Sequence, residues 1–217
     1  MDEKFSAEVV RGAVETAQDF LNSLFKPAAQ ELGNILGDNV RHWRFNNAVR
    51  ITLEAKKLIE KHGIQLKQVS PTILLPILEQ SSLADDESLQ KKWVALLANA
   101  ASHQSPAVHV SFPRVLSELT YIEAKIMDFL YVKSLAADKV TMVSYTVPYE
   151  DIVSALQITD EEYFLAIDHL FAVGLCVSSN VTVIPTFDSM EVAIRNTRSL
   201  VITGYGFEFI KACTEPS

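Results

Sequence analysis

Five histidines, two cysteines and the carboxylate run Asp85-Asp86-Glu87 are the residues of this 217-residue chain best suited to chemistry. His42, His62, His103, His109 and His169 never fall beside another His, Cys or Glu at a metal-ligand spacing such as His-Glu-x-x-His. His103 and His109 lie six residues apart in a loop-like stretch, whereas a zinc ion needs three or four convergent ligands. These histidines read as surface or helix-capping residues. Neither Cys176 nor Cys213 sits at a helix N-terminus beside a cation that would activate its thiol, and Cys176, in an apolar run, reads as a buried structural thiol. Ser81 and Ser82 lack a Gly-x-Ser-x-Gly setting, and no glycine-rich loop is present to cradle a phosphate. Asp85, Asp86 and Glu87 read as a helix start, where carboxylates meet the positive end of the dipole. The residues imply no catalytic site, no metal and no cofactor, and hence a non-enzymatic protein.

A second kind of chemistry is electrostatic contact. The net charge of −8 is unevenly spread. Residues 26–67 hold eight Lys or Arg against four Asp or Glu, and residues 119–217 hold six against thirteen. The basic stretch contains Arg41, Arg44, Arg50, Lys57 and Lys61, and at 100° per residue Arg50, Lys57 and Lys61 share a helix face. Glu54 and Glu60 are placed to interrupt that stripe with ion pairs. The plain reading is a solvated face. The functional reading is a contact for an acidic partner: RNA, DNA, anionic lipid, or the acidic C-terminal part of a second copy. Trp43 and Trp93 could anchor a partner, but on helical stripes both read as core.

The elements that must position these residues are mostly helices. Phe5, Val9, Ala13, Thr16, Phe20 and Leu24 mark an amphipathic helix over 4–24. Pro27 opens a further segment that Gly33 and Gly37 loosen. A long helix then runs from Asp38 to His62, with Ala48, Ile51, Ala55, Leu58 and Ile59 inward and Gly63 as its stop. Pro71 starts the next helix, kinked at Pro76, and Asp85 or Asp86 caps one whose core stripe is Leu89, Trp93, Leu96, Leu97 and Ala100. Thr120 with Glu123 and Thr159 with Glu162 form two capping boxes. Val143, Tyr145 and Val147 alternate as a short strand, and a helix follows over 149–156. Leu175–Val177 and Val181–Ile184 read as a hairpin around Ser178-Ser179-Asn180, followed by a strand at Leu200–Thr203 and a helix from Gly206 to Cys213. The expected boundary lies near Ser117–Leu119.

Composition sets the outer limits. Hydrophobic residues make up 48% and charged residues 21%, ordinary for a globular chain. No apolar run reaches the roughly 20 residues a membrane-spanning helix needs. The first 25 residues read without a secretory signal, so a soluble cytoplasmic protein is the expectation.

The stretch Leu75-Pro-Ile-Leu-Glu-Gln-Ser-Ser-Leu-Ala-Asp-Asp-Glu-Ser-Leu-Gln-Lys-Lys-Trp-Val-Ala-Leu-Leu-Ala-Asn-Ala-Ala101, with His109-Val-Ser-Phe112, resembles the abortive infection alpha family of bacterial proteins. The resemblance runs from about Gly33 to Tyr131. It implies a role in abortive infection or other antiphage defence, and no agreed reaction comes with it. The C-terminal order of helix, short strand, helix, helix and β-wing resembles a winged helix. Leu200-Val-Ile-Thr-Gly-Tyr-Gly206 is similar to the way many such domains close, with a strand turning into a helix at Thr-x-x-Gly.

The expectation is therefore a mainly α protein: a helical N-terminal domain over 1–117, then a winged-helix-like α/β domain over 118–217. In winged helices the third helix often reads DNA, but here residues 160–173 carry Asp160, Glu161, Glu162 and Asp168 and no Lys or Arg. That sign favours protein contacts or self-association into a homo-oligomer, with the protein a sensor or effector. Two rivals stay open: a nucleic-acid-binding regulator using the 41–61 basic face, and a toxin acting on membranes through helix 4–24. The latter's polar face, with Glu8, Glu15 and Asp19 against Lys4 and Arg11, suits anionic lipid poorly.

Overall fold

The computed structural model describes residues 2–25, 39–105, 107–136, 145–179, 181–185, 191–195 and 199–216. It is mainly helical, with a small antiparallel sheet, and its contacts divide it into two units. One comprises Met1–Glu118 with Ala212–Ser217, the other Leu119–Lys211.

The first unit holds α1 (Asp2–Leu24), α2 (Asn39–Lys61), α3 (Pro71–Ser81), α4 (Glu87–Ala101) and α5 (Phe112–Glu118). Its centre is α4. Every residue from Lys92 to Ser102 is buried, so this helix is enclosed on all sides and not along the single stripe its periodicity suggests. It packs against α2, α3 and α5, while α1 lies on α2. Asp86 caps α4 by accepting the Leu89 N–H at 2.9 Å. The inward stripe of α2 is as expected: Ala48, Ile51, Ala55, Leu58 and Ile59 are all buried. Gly63, at φ +59°, ends it with paired bonds from the Gly63 N–H to the Glu60 carbonyl (3.2 Å) and from the Ile64 N–H to the Ile59 carbonyl (3.0 Å). This is the left-handed stop that glycine makes cheaply. α3 runs through Pro76, whose ring nitrogen has no hydrogen for the Thr72 carbonyl.

Two expectations for this unit change. Among the described side chains of α1, from Val10 onward, the buried ones are Ala17, Phe20, Leu21 and Leu24, and Thr16 is exposed with its hydroxyl bonded back to the Gly12 carbonyl at 2.8 Å; Phe5 and Val9 lie outside those described. The stripe thus keeps Phe20 and Leu24 and takes in Ala17 and Leu21, with Thr16 outside it. Trp43, expected in the core, is 42% exposed, and Trp93 alone of the two tryptophans is buried. Pro27, Gly33 and Gly37 lie outside the described residues.

The second unit holds α6 (Tyr121–Ala136), β1 (Val147–Pro148), α7 (Tyr149–Leu156), α8 (Asp160–Ala172), β2 (Cys176–Ser178), β3 (Val181–Pro185), β4 (Glu191–Arg195) and β5 (Ser199–Ile202), and takes in most of α9 (Gly204–Ala212). Both capping boxes form. At Thr159 the hydroxyl accepts the Glu162 N–H at 3.2 Å while a Glu162 carboxylate oxygen accepts the Thr159 N–H at 2.8 Å. The sheet order is β1-β5-β2, antiparallel, with Val147 opposite Leu200 and Cys176 opposite Ile202. Val143 lies outside the described residues.

The expected hairpin between Leu175–Val177 and Val181–Ile184 does not form. β2 pairs with β5, the ladder continuing through the Ser179 N–H to the Ser199 carbonyl at 3.0 Å. β3 pairs instead with β4, from Val181 opposite Arg195 to Pro185 opposite Glu191. The strand at Glu191–Arg195 is masked in the sequence by its charged ends. β2 gains by the longer-range pairing because Leu200 and Ile202 then enter the same core as Cys176, and all three are fully buried.

Candidate functional site

The α2 cations separate into different roles. Arg44 is half-buried, and its Nε donates to the Ser82 hydroxyl at 3.0 Å. Asn47 joins it there, donating to the Ser82 and Ala84 carbonyls at 3.3 and 3.0 Å. Both hold the α3–α4 turn against α2. Lys61 lies 3.7 Å from the Glu215 carboxylate, which is also 3.9 Å from His62 Nε2. Lys56 pairs with Glu60 along the helix. Glu54 acts on Lys91, whose ammonium is held above its ordinary pKa first by its hydrogen bond and charge contact with Glu87, then weakly by Glu54. The Arg41 side chain lies outside those described. Arg50 and Lys57 remain, both exposed and neither in an ion pair among the described residues; Arg50 donates to Asn47 Oδ1 at 3.4 Å.

The outward face of α8 has the opposite character. Tyr163, Ala166, Ile167 and Leu170 are buried, while Glu161, Phe164, Leu165, Asp168 and Ala172 are exposed. Leu165 is 77% exposed and Phe164 42%. Phe164 is fixed by stacking on Tyr149, with centroids 5.9 Å apart and rings 11° from parallel, and by an edge contact with Tyr163 at 5.4 Å. Tyr149 in turn donates its hydroxyl to Asp160. Glu161 and Asp168 make no ion pair among the described residues. Charge was legible in the sequence here, and the helical stripe Tyr163, Ile167, Leu170 and Phe171 leaves Phe164 and Leu165 off the inward side, as the structure has them; the stacking of Phe164 on Tyr149 was not legible.

The groups suited to other chemistry are placed as follows. His109 Nδ1 lies 2.7 Å from the Ser111 hydroxyl and accepts the Ser111 N–H at 3.3 Å, a local turn ahead of α5. His169 Nδ1 lies 2.7 Å from a carboxylate oxygen of Glu123, whose side chain is buried. Sequence reasoning missed this pair, and 46 residues of separation left no signal. Cys176 is buried as expected, and burial pushes its thiol up to about 12. Among the described residues no three or more His, Cys, Asp or Glu converge as a metal site, and no helix is long and apolar enough to cross a membrane.

The sequence signature of a family described as abortive infection alpha matches residues 44–213, most of the chain. The chain belongs to the abortive infection alpha family. The match begins at Arg44, inside α2, and runs to Cys213, past the end of α9. Family membership of this abortive infection alpha protein thus extends well beyond Tyr131, where the resemblance read from the sequence stops, and takes in the whole α8 face. No curated protein and no solved structure matches the chain.

Proposed function

We propose that this protein is a non-catalytic sensor or effector of bacterial abortive infection, cytoplasmic, working through protein–protein contacts that include self-association. The family description supports the antiphage setting. The observation that carries the mechanism is the α8 face, where Leu165 stands 77% exposed between carboxylates on a helix without a Lys or Arg. An exposed apolar centre within a charged rim suits a protein partner, and its sign is wrong for phosphate.

The second unit is a winged helix in this reading. Helices α6, α7 and α8, the strand order β1-β5-β2, and the β3–β4 hairpin inserted between β2 and β5 support it. α8 then occupies the position that reads DNA in many such domains, turned here to protein recognition. A nucleic-acid contact by Arg50 and Lys57 on α2 is the second reading, favoured only by their exposure and their lack of ion pairs among the described residues.

The test is a phage challenge of bacteria expressing the full chain, at low and high multiplicity, beside a Leu165→Lys variant. Protection with death of infected cells at high multiplicity, lost in the variant, is the expected result. Protection that is unaffected by Leu165→Lys would remove α8 from the mechanism, and no protection against a broad phage panel would remove the setting. A point variant is a cleaner comparison than truncation after residue 118. Asn99 Nδ2 donates to the Ala212 and Thr214 carbonyls at 2.9 and 2.8 Å, so truncation would damage the first unit as well.

A further inference from the structure

Two exposed helix faces on this chain match in spacing and oppose in charge. On α2, Trp43, Arg50 and Lys57 recur every seven residues, which returns each to within about 20° of the same direction. All three are exposed. On α8, Glu161, Leu165 and Asp168 line the outward face at intervals of four and three. The two cations are seven residues apart and so are the two carboxylates, about 10 Å along either helix axis. Glu54, exposed and placed four residues after Arg50 and three before Lys57, lies on the same side of α2, and Lys61 beyond it is held by Glu215. The α2 face thus carries two cations around one carboxylate and the α8 face two carboxylates and no cation, so their net charges are opposite in sign.

We infer that the α8 face of one copy docks on the α2 face of a second copy, Glu161 and Asp168 meeting Arg50 and Lys57 around Leu165. The inference rests on the proposal that the protein works through protein contacts and names the surfaces and the occupant. Pairing α8 with α8 would set carboxylates against carboxylates, so the self-contact has to be heterologous at the level of helices. Each copy offers both faces, and the dimer inferred is the one in which two such contacts are related by a two-fold axis. Trp43 supplies an aromatic of the kind that anchors interface cores.

Sedimentation velocity of the full chain over a concentration series tests this. The expected result is a monomer–dimer equilibrium weakened by salt. Arg50→Glu with Lys57→Glu, and separately Glu161→Lys with Asp168→Lys, should each weaken dimerisation at least about tenfold. Mixing the two double variants should restore a dimer, because every α2–α8 contact between them is again complementary. Unchanged thermal melts establish that these surface exchanges leave the fold intact. A chain that stays monomeric throughout overturns the inference. If it still protects against phage, the broader proposal of protein contacts survives with another partner. A dimer indifferent to both double variants, or variants that do not recover on mixing, overturns it too. A nucleic acid bound by the wild type and lost in Arg50→Glu/Lys57→Glu, with no dimer, would assign the α2 face to that ligand instead.

Discussion

Gly206 backs onto the carbonyl of Leu175 so closely that a β-carbon at that position would stand 1.9 Å from the oxygen. Thr203 fixes the approach. Its hydroxyl lies 2.7 and 3.1 Å from the Gly174 and Leu175 carbonyls and accepts the Gly206 N–H at 2.8 Å, capping α9 as it does so. The Thr-x-x-Gly spacing is thus a steric and hydrogen-bonding requirement of the strand-to-helix turn. Gly206→Ala must push α9 off backbone atoms that cannot rotate away. It should destabilise the second unit by about 3 kcal/mol, at the upper end for overpacking, as read from the denaturant midpoint.

Local rules of this kind were legible in the sequence. Gly63, the two Thr-x-x-Glu boxes and the Ala48–Ile59 stripe each depend on residues within a few positions of one another, and each forms as expected. What was not legible depends on distance or on competition for one core. Cys176 finds Ile202 and not its near neighbour Val181, Glu123 finds His169 across two helices, and Thr16 yields its place to Ala17. The α2 face was legible in charge but not in exposure. Nothing in the spacing says that Arg44 is tied to Ser82 while Arg50 and Lys57 stand open.

Two helix stops in the second unit make a matched pair. Gly174, at φ +76°, ends α8 with its N–H on the Phe171 carbonyl at 3.1 Å and the Leu175 N–H on the Leu170 carbonyl at 3.0 Å. Gln157 ends α7 in the same left-handed region, at φ +54°, with a side chain that disfavours it. Gly174→Ala should cost about 1 kcal/mol, and Gln157→Gly should be neutral or stabilising by a few tenths. Opposite signs for the two changes in equilibrium unfolding check the argument; a loss in both would show that Gln157 contributes more through its side chain than its backbone conformation costs.

The buried Glu123 carboxylate does two jobs at once. One oxygen accepts the Thr120 N–H at 2.5 Å, closing the cap of α6, and the other meets His169 Nδ1 at 2.7 Å. Glu123→Ala leaves a backbone donor and a ring nitrogen without their partner and should cost about 2–3 kcal/mol. His169→Ala, at a partly exposed position, should cost about 1 kcal/mol. The double variant should fall short of the sum by at least about 0.5 kcal/mol. Strict additivity in a double-mutant cycle would mean that the contact contributes nothing of its own.

Alkaline pH should act on the second unit through Cys176. A thiol ordinarily loses its proton near pH 9.0, but burial holds this one up to about 12. Between those values the unfolded chain gives up the proton and the folded chain keeps it, so the unfolded state binds fewer protons and stability falls as pH rises. The loss has a slope of at most about 1.4 kcal/mol per pH unit from this group. Burial raises the Tyr163 hydroxyl as well, which adds a loss of the same sign at still higher pH. Denaturation midpoints compared below and above pH 9 should therefore decline, and Cys176→Ala should flatten the first part of that decline while removing buried volume at every pH. The same burial should protect the thiol from alkylation in the folded protein, with labelling of Cys176 appearing only under denaturant. Ready labelling of the native chain near neutral pH would mean that this strand opens locally, and the alkaline slope would then shrink with it.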